Sequence, residues 1–70
     1  MTVREVANAT FGNDLSSGFI GIYGEDEYGN VMPIYPDFAD EYVETHGNLS
    51  VKNYRYVKSQ NTLVIEIDKE

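Results

Sequence analysis

The chain contains no cysteine and no tryptophan, a single histidine, two prolines and only five lysine or arginine residues. Without cysteine there can be no disulfide staple, no thiolate metal ligand and no thiol nucleophile. Five cations face twelve carboxylates, for a net charge of −7. Such a balance disfavours direct binding to DNA, RNA or an anionic membrane, all of which are polyanionic. No apolar run approaches the ~18 residues of a membrane span. The stretch 1–11 carries Arg4, Glu5 and Asn8 and lacks the apolar segment of an export signal. The cytoplasm is therefore the expected compartment.

What is present is enough for a folded domain. Six tyrosines, three phenylalanines and a 41% hydrophobic content argue against disorder. Seventy residues make one domain, 1–70. A chain this short buries only about 60% of the surface that its unfolded form exposes. With no disulfide to reinforce so small a core, a homodimer interface is the expected substitute. The negative charge serves solubility and suits a basic protein partner.

The opening "TVREVANATF" predicts a helix. Thr2 and Glu5 have the spacing of a capping box, in which each side chain satisfies a free amide of the first turn. Val3, Val6, Ala7 and Thr10 fall on one face, and Gly12–Asn13 suit the stop. "FIGIYG", Phe19–Gly24, alternates as a strand does. "EDEYGN" is a turn-rich loop, and "VMPIY" is a second strand. Pro33 cannot donate to a ladder, which places that strand at a sheet edge. "PDFADEYVETHGN" carries helix signals, with Asp37 as cap and Phe38, Ala39, Tyr42, Val43 and His46 on one face. At about ten residues it is either a short helix or an irregular loop with one turn.

"LSVKNYRYVKS" and "NTLVIEID" predict a second hairpin, turning at Ser59–Asn61. Leu63, Ile65 and Ile67 share one face, as a buried sheet face requires, while Thr62, Val64, Glu66 and Asp68 share the other. In the preceding strand Leu49 and Val51 are out of phase with Tyr54 and Tyr56. Either the tyrosines decorate the outer face, or a bulge near Asn53 brings Val51, Tyr54 and Tyr56 together against the core; we adopt the bulge. The expected fold is α+β: an antiparallel four-stranded sheet of two β-hairpins, with one or two short helices packed on one face.

Catalytic constellations are weak. His46 sits at the end of the second helix, where an imidazole suits the dipole, and no nucleophile elbow surrounds Ser16 or Ser17. "GEDEYGN" offers three adjacent carboxylates, but the late glutamate of a calcium loop is missing, since "VMPIYP" follows. "GFIGIYG" lacks the lysine of a phosphate loop. The sequence therefore points away from an enzyme, and no catalytic residue, cofactor or metal is expected. The remaining candidate is a surface. Glu25, Asp26, Glu27 and Tyr28 in the first hairpin loop, with Asp40, Glu41 and Glu44 of the second helix, are the expected partner-binding residues. Tyr28 stands out among the tyrosines, because a hairpin tip offers nothing to cover it.

The opening "TVREV" and the closing "YRYVKSQNTLVIEID", together about a quarter of the chain, resemble small α+β proteins of phages and mobile elements of Gram-positive bacteria. The resemblance implies a compact accessory protein without catalytic residues and transfers no site; the middle of the chain departs from it. Two functions follow as expectations. The first is a non-enzymatic accessory protein acting by protein–protein contact. The second is an acidic nucleic-acid mimic that inhibits a DNA- or RNA-handling protein, for which the six carboxylates named above would have to form one continuous negative face.

Overall fold

The computed structural model describes residues 1–68. Helix α1 spans Val3–Phe11 and opens with the expected capping box: the Glu5 amide donates to Thr2 Oγ1 at 3.3 Å, and the Thr2 amide to Glu5 Oε1 at 2.8 Å. Those bonds hold the Glu5 carboxyl below its ordinary range. The helix stops at Gly12, whose φ of 64° suits a residue without Cβ. Strands β1 (Phe19–Glu25) and β2 (Val31–Phe38) form the first antiparallel hairpin. Helix α2 spans Ala39–His46, and strands β3 (Val51–Val57) and β4 (Thr62–Ile67) form the second antiparallel hairpin.

The order across the sheet is β2-β1-β4-β3. The two hairpins meet through β1 and β4, which run parallel, with Ile20 beside Leu63 and Ile22 beside Ile65. The sheet is thus mixed rather than purely antiparallel. The reason lies in the link between the hairpins. Helix α2 carries the chain back across the sheet, so β3 starts at the same end as β2 and runs in the same direction. With β2 and β3 parallel at the two edges, their partners β1 and β4 must be parallel at the centre.

Both helices lie on one face. Val3, Ile20, Leu63 and Ile65 are fully buried there, with Val6, Ala7, Ala39, Tyr42, Val43 and Val51 around them and Phe11, Leu15 and Ile67 at the margin. The expected bulge in β3 falls between Val51 and Asn53. It sets Tyr54 opposite Ile65 and Tyr56 opposite Leu63, on the helix face. Both remain about half exposed at its border, where the Tyr56 ring meets the edge of Phe11 at 5.9 Å.

Two expectations for the middle of the chain need correction. Asp37 and Phe38 belong to β2, not to the second helix, and Phe38 pairs with Phe19. Asp37 is not the cap of α2. The first helical amide is satisfied from across the chain instead: Ala39 N–H donates to the Gly18 carbonyl at 2.9 Å. The whole segment Ala39–His46 is helical, which decides between helix and loop. Its far end is closed from outside: Arg4 donates to Asn48 Oδ1 at 2.8 Å, and its guanidinium lies against Gly47, beside the last carbonyls, where a cation is favourable.

Asn61 joins the hairpins. It lies in the expected turn and adopts the left-handed conformation that asparagine tolerates, with φ 49°. Its carbonyl accepts from the Phe19 amide at 3.0 Å, its side-chain nitrogen donates to the Ser17 carbonyl at 2.6 Å, and its side-chain oxygen accepts from the Tyr56 hydroxyl. One residue therefore fixes the start of β1 against the start of β4.

Candidate functional site

Among the described residues, none forms a second layer on the side of the sheet away from the helices. Register assigns its residues: Phe19, Gly21, Tyr23 and Glu25 from β1; Val31, Pro33 and Phe38 from β2; Arg55 and Val57 from β3; Thr62, Val64 and Glu66 from β4. Its centre is closed by the chain itself. Gly21 pairs with Val64, and Pro33 and Pro36 of the edge strand crowd over Gly21, where a Cβ would come within 2.5 Å of Pro33 Cβ. The crowding comes from a bulge in β2. Tyr35 and Pro36 together oppose Gly21, and Tyr35 takes φ 51°, a left-handed conformation that few tyrosines adopt. Val64 is consequently buried although no helix covers it.

Beside this closed centre a shallow depression of about 290 Å³ crosses all four strands, lined by Val31, Tyr23, Val64, Glu66, Arg55 and Asn53. The Tyr23 hydroxyl donates to Glu25 Oε2 at 2.6 Å, which fixes the ring in place. The carboxylate accepting that proton, with help from partial burial and from Glu66, holds the phenol above its ordinary range, while Arg55 opposes the shift. Toward the α2 end the rings of Phe19 and Phe38 stack at 5.3 Å, 36% and 48% exposed. The face therefore presents a fixed tyrosine, an arginine, an apolar floor and an aromatic pair. These residue types dominate the centres of protein interfaces.

The expected partner-binding residues fall into two groups. Glu25 ends β1 and lies on the uncovered face; Asp26, Glu27 and Tyr28 form the tip beyond it. Asp40 and Glu41 lie in the first turn of α2, beside Gly18 and the start of β1, with Glu44 one turn on. The length of β1, roughly 20 Å, separates tip from first turn. Asp26 is committed to the turn. Its Oδ1 accepts from the Tyr28 and Asn30 amides, both at 2.9 Å, and Gly29 alone in this turn takes a positive φ, 82°. The Asn30 bond above all holds the Asp26 carboxyl below its usual range. Tyr28 is 81% exposed, as a hairpin tip dictates, and Tyr35 matches it at 84%.

Nothing converges around the residues first considered for catalysis. The His46 ring stacks on Tyr42 at 4.7 Å and its Nδ1 shares a hydrogen with Thr45 Oγ1. Ser16 and Ser17 both donate to Asp14. Among the described residues, no three carboxylate or imidazole groups are placed to hold a metal ion, and no helix is long and apolar enough to cross a membrane.

Sequence reasoning missed Tyr23, Arg55 and Glu66 as one site. The alternation of β1 had put Phe19 and Tyr23 on one face, but only the parallel pairing of β1 with β4 brings Glu66 and, through β3, Arg55 beside them. No protein-family model matches the chain, and no curated protein or solved structure is significantly similar to it.

Proposed function

We propose that this chain is a non-enzymatic accessory protein that docks a protein partner on the uncovered sheet face, with Tyr23 and Arg55 at the centre of contact. The observation that supports this reading is the depression across the four strands, floored by Val31 and Val64 and flanked by those two side chains. Tyrosine and arginine are the residue types most often responsible for affinity at such centres. The Tyr23–Glu25 bond spares the ring part of the ordering cost that binding would impose. The cytoplasm is the proposed compartment.

Mimicry of a nucleic acid is the other reading of a net charge of −7. It requires one continuous negative surface, and the division of the carboxylates between the two ends of β1 counts against it. Capture of a bound protein by the wild-type chain, compared with Tyr23→Ala and with a Glu41→Gln, Glu44→Gln double variant, separates the two. Docking on the sheet face predicts that Tyr23→Ala loses the captured protein and the double variant keeps it. The reverse pattern overturns the proposal in favour of the acidic helix.

A further inference from the structure

The uncovered face is bounded on both sides by edges that resist another strand. In β2, Pro33 and Pro36 withhold ladder donors and the Tyr35–Pro36 bulge bends the strand. In β3, the Tyr54 amide is taken by Asn53 Oδ1 at 2.9 Å, and the first part of the edge is occupied by the chain's own start: Thr2 bridges Ser50, and the Val51 amide donates to the Met1 carbonyl at 2.8 Å. Two β3 strands pairing antiparallel about Arg55 would also set each Lys52 opposite a Lys58, and like charges directly opposite are unfavourable. Growth of the sheet sideways is therefore blocked, and association through the face is not.

Two observations bear on what covers that face. The molecule is a slab of 34 × 30 × 17 Å, so its broad side presents on the order of 800 Å², which is what each partner buries in a stable interface. Charge supplies the second. The face carries Arg55 and Glu66 across one depression, opposite in sign, with Glu25 at its margin held by the Tyr23 hydroxyl. Asp40, Glu41 and Glu44 project from the side of α2 away from its buried residues Ala39, Tyr42 and Val43, and so stand on the other side of the slab. Two copies meeting sheet to sheet keep those carboxylates far apart.

We propose that a second copy of this chain covers the uncovered face about a two-fold axis, with Arg55 of each copy against Glu66 of the other. An isologous contact of this kind needs a self-complementary patch, and Arg55 with Glu66 flanking an apolar floor supplies one, the Glu25 carboxylate at its margin being engaged by the Tyr23 hydroxyl of its own copy. The inference rests on the docking reading above and names its occupant.

The test is light scattering after size exclusion at high micromolar concentration. Wild type is expected at twice 7.9 kDa. Arg55→Glu alone and Glu66→Arg alone are each expected to weaken self-association by about tenfold or more. An equimolar mixture of the two variants restores the dimer, because each copy then meets opposite charge at both positions. Far-UV circular dichroism checks that the variants are folded, and the mixture itself shows it by recovering. A monomeric wild type overturns the second-copy proposal, as does a dimer indifferent to both reversals. A monomeric wild type whose captured protein is still lost in Tyr23→Ala would leave the docking reading standing with another occupant, so the two failures are told apart.

Discussion

The two faces of one sheet differ in how they are closed. On the helix face, closure is by a second layer: Ile20, Leu63 and Ile65 lie under α1 and α2 and are fully buried. On the opposite face, closure is by the sheet's own edge, bent at Tyr35–Pro36 over Gly21, and burial there is limited to Gly21, Thr62 and Val64. Beyond Val64 the rings of Phe19, Tyr23 and Phe38 stay about half exposed. A layer of helices can bury a whole row of side chains at period two. A bent strand can bury only a small central patch. The helix layer is itself incomplete: Ile22, Met32 and Ile34 share its side of the sheet and stay about two-fifths exposed, so burial concentrates on one side of the molecule while exposed apolar surface remains on both.

Substitutions break or sharpen this contrast. The largest effect is expected from Ile65→Ala on the helix face. Removing a fully buried Ile side chain costs about 2–5 kcal/mol, a large part of the stability of a domain this small, and chemical denaturation measures it directly. An effect no greater than that of an exposed site would mean that the helix layer is not the core. Gly21→Ala tests the second kind of closure. Its Cβ meets Pro33 Cβ and approaches the Pro33 backbone, so the β2 edge must move, at a cost of about 1–3 kcal/mol. Faster exchange of β2 amides with unchanged β3–β4 amides would locate the damage at the bent edge; uniform acceleration would show that the bend supports the whole fold.

A smaller effect is set by pH. Asp26 titrates below its ordinary range because the Asn30 and Tyr28 amides donate to its carboxylate. A carboxyl depressed by folding contributes stability that is fully present above its unfolded pKa, about 3.9. That contribution fades as pH falls through the lower folded value. Protection of the Asn30 amide should accordingly persist at pH 5 and weaken in more acid solution, and Asp26→Asn should remove the dependence; an unchanged profile in that variant would assign it to another group. At the bottom of the scale, Glu27→Ala at the exposed tip should leave the thermal midpoint where it is.

Local chemistry was legible in the sequence. The Thr2–Glu5 capping box, the bulge beside Asn53, the left-handed Asn61 and the edge position of Pro33 each follow from residues a few positions apart. The parallel pairing of β1 with β4 was not legible, because it joins residues more than forty apart and depends on the direction in which α2 returns the chain. Phe38 and Asp37 misled for a related reason. Their local signals suit a helix start, but pairing with Phe19 and Ile20 across the sheet holds them in β2. The candidate site shares this non-local origin. Arg55 and Glu66 are ordinary strand residues until the central pair sets them beside Tyr23.

The threefold anchoring at Asn61 also has a kinetic side. Each hairpin can zip up locally, on the timescale of microseconds, but the amide of Phe19 and the carbonyl of Ser17 find their acceptor and donor only after the polypeptide has looped back through some forty positions. Closing so long a loop is an entropic barrier that neither hairpin can lower alone. Bonds made only after that closure lie beyond the barrier, so weakening the Asn61 side chain should hasten departure from the native state more than it slows the approach, and this single turn acts as a latch on the assembled sheet.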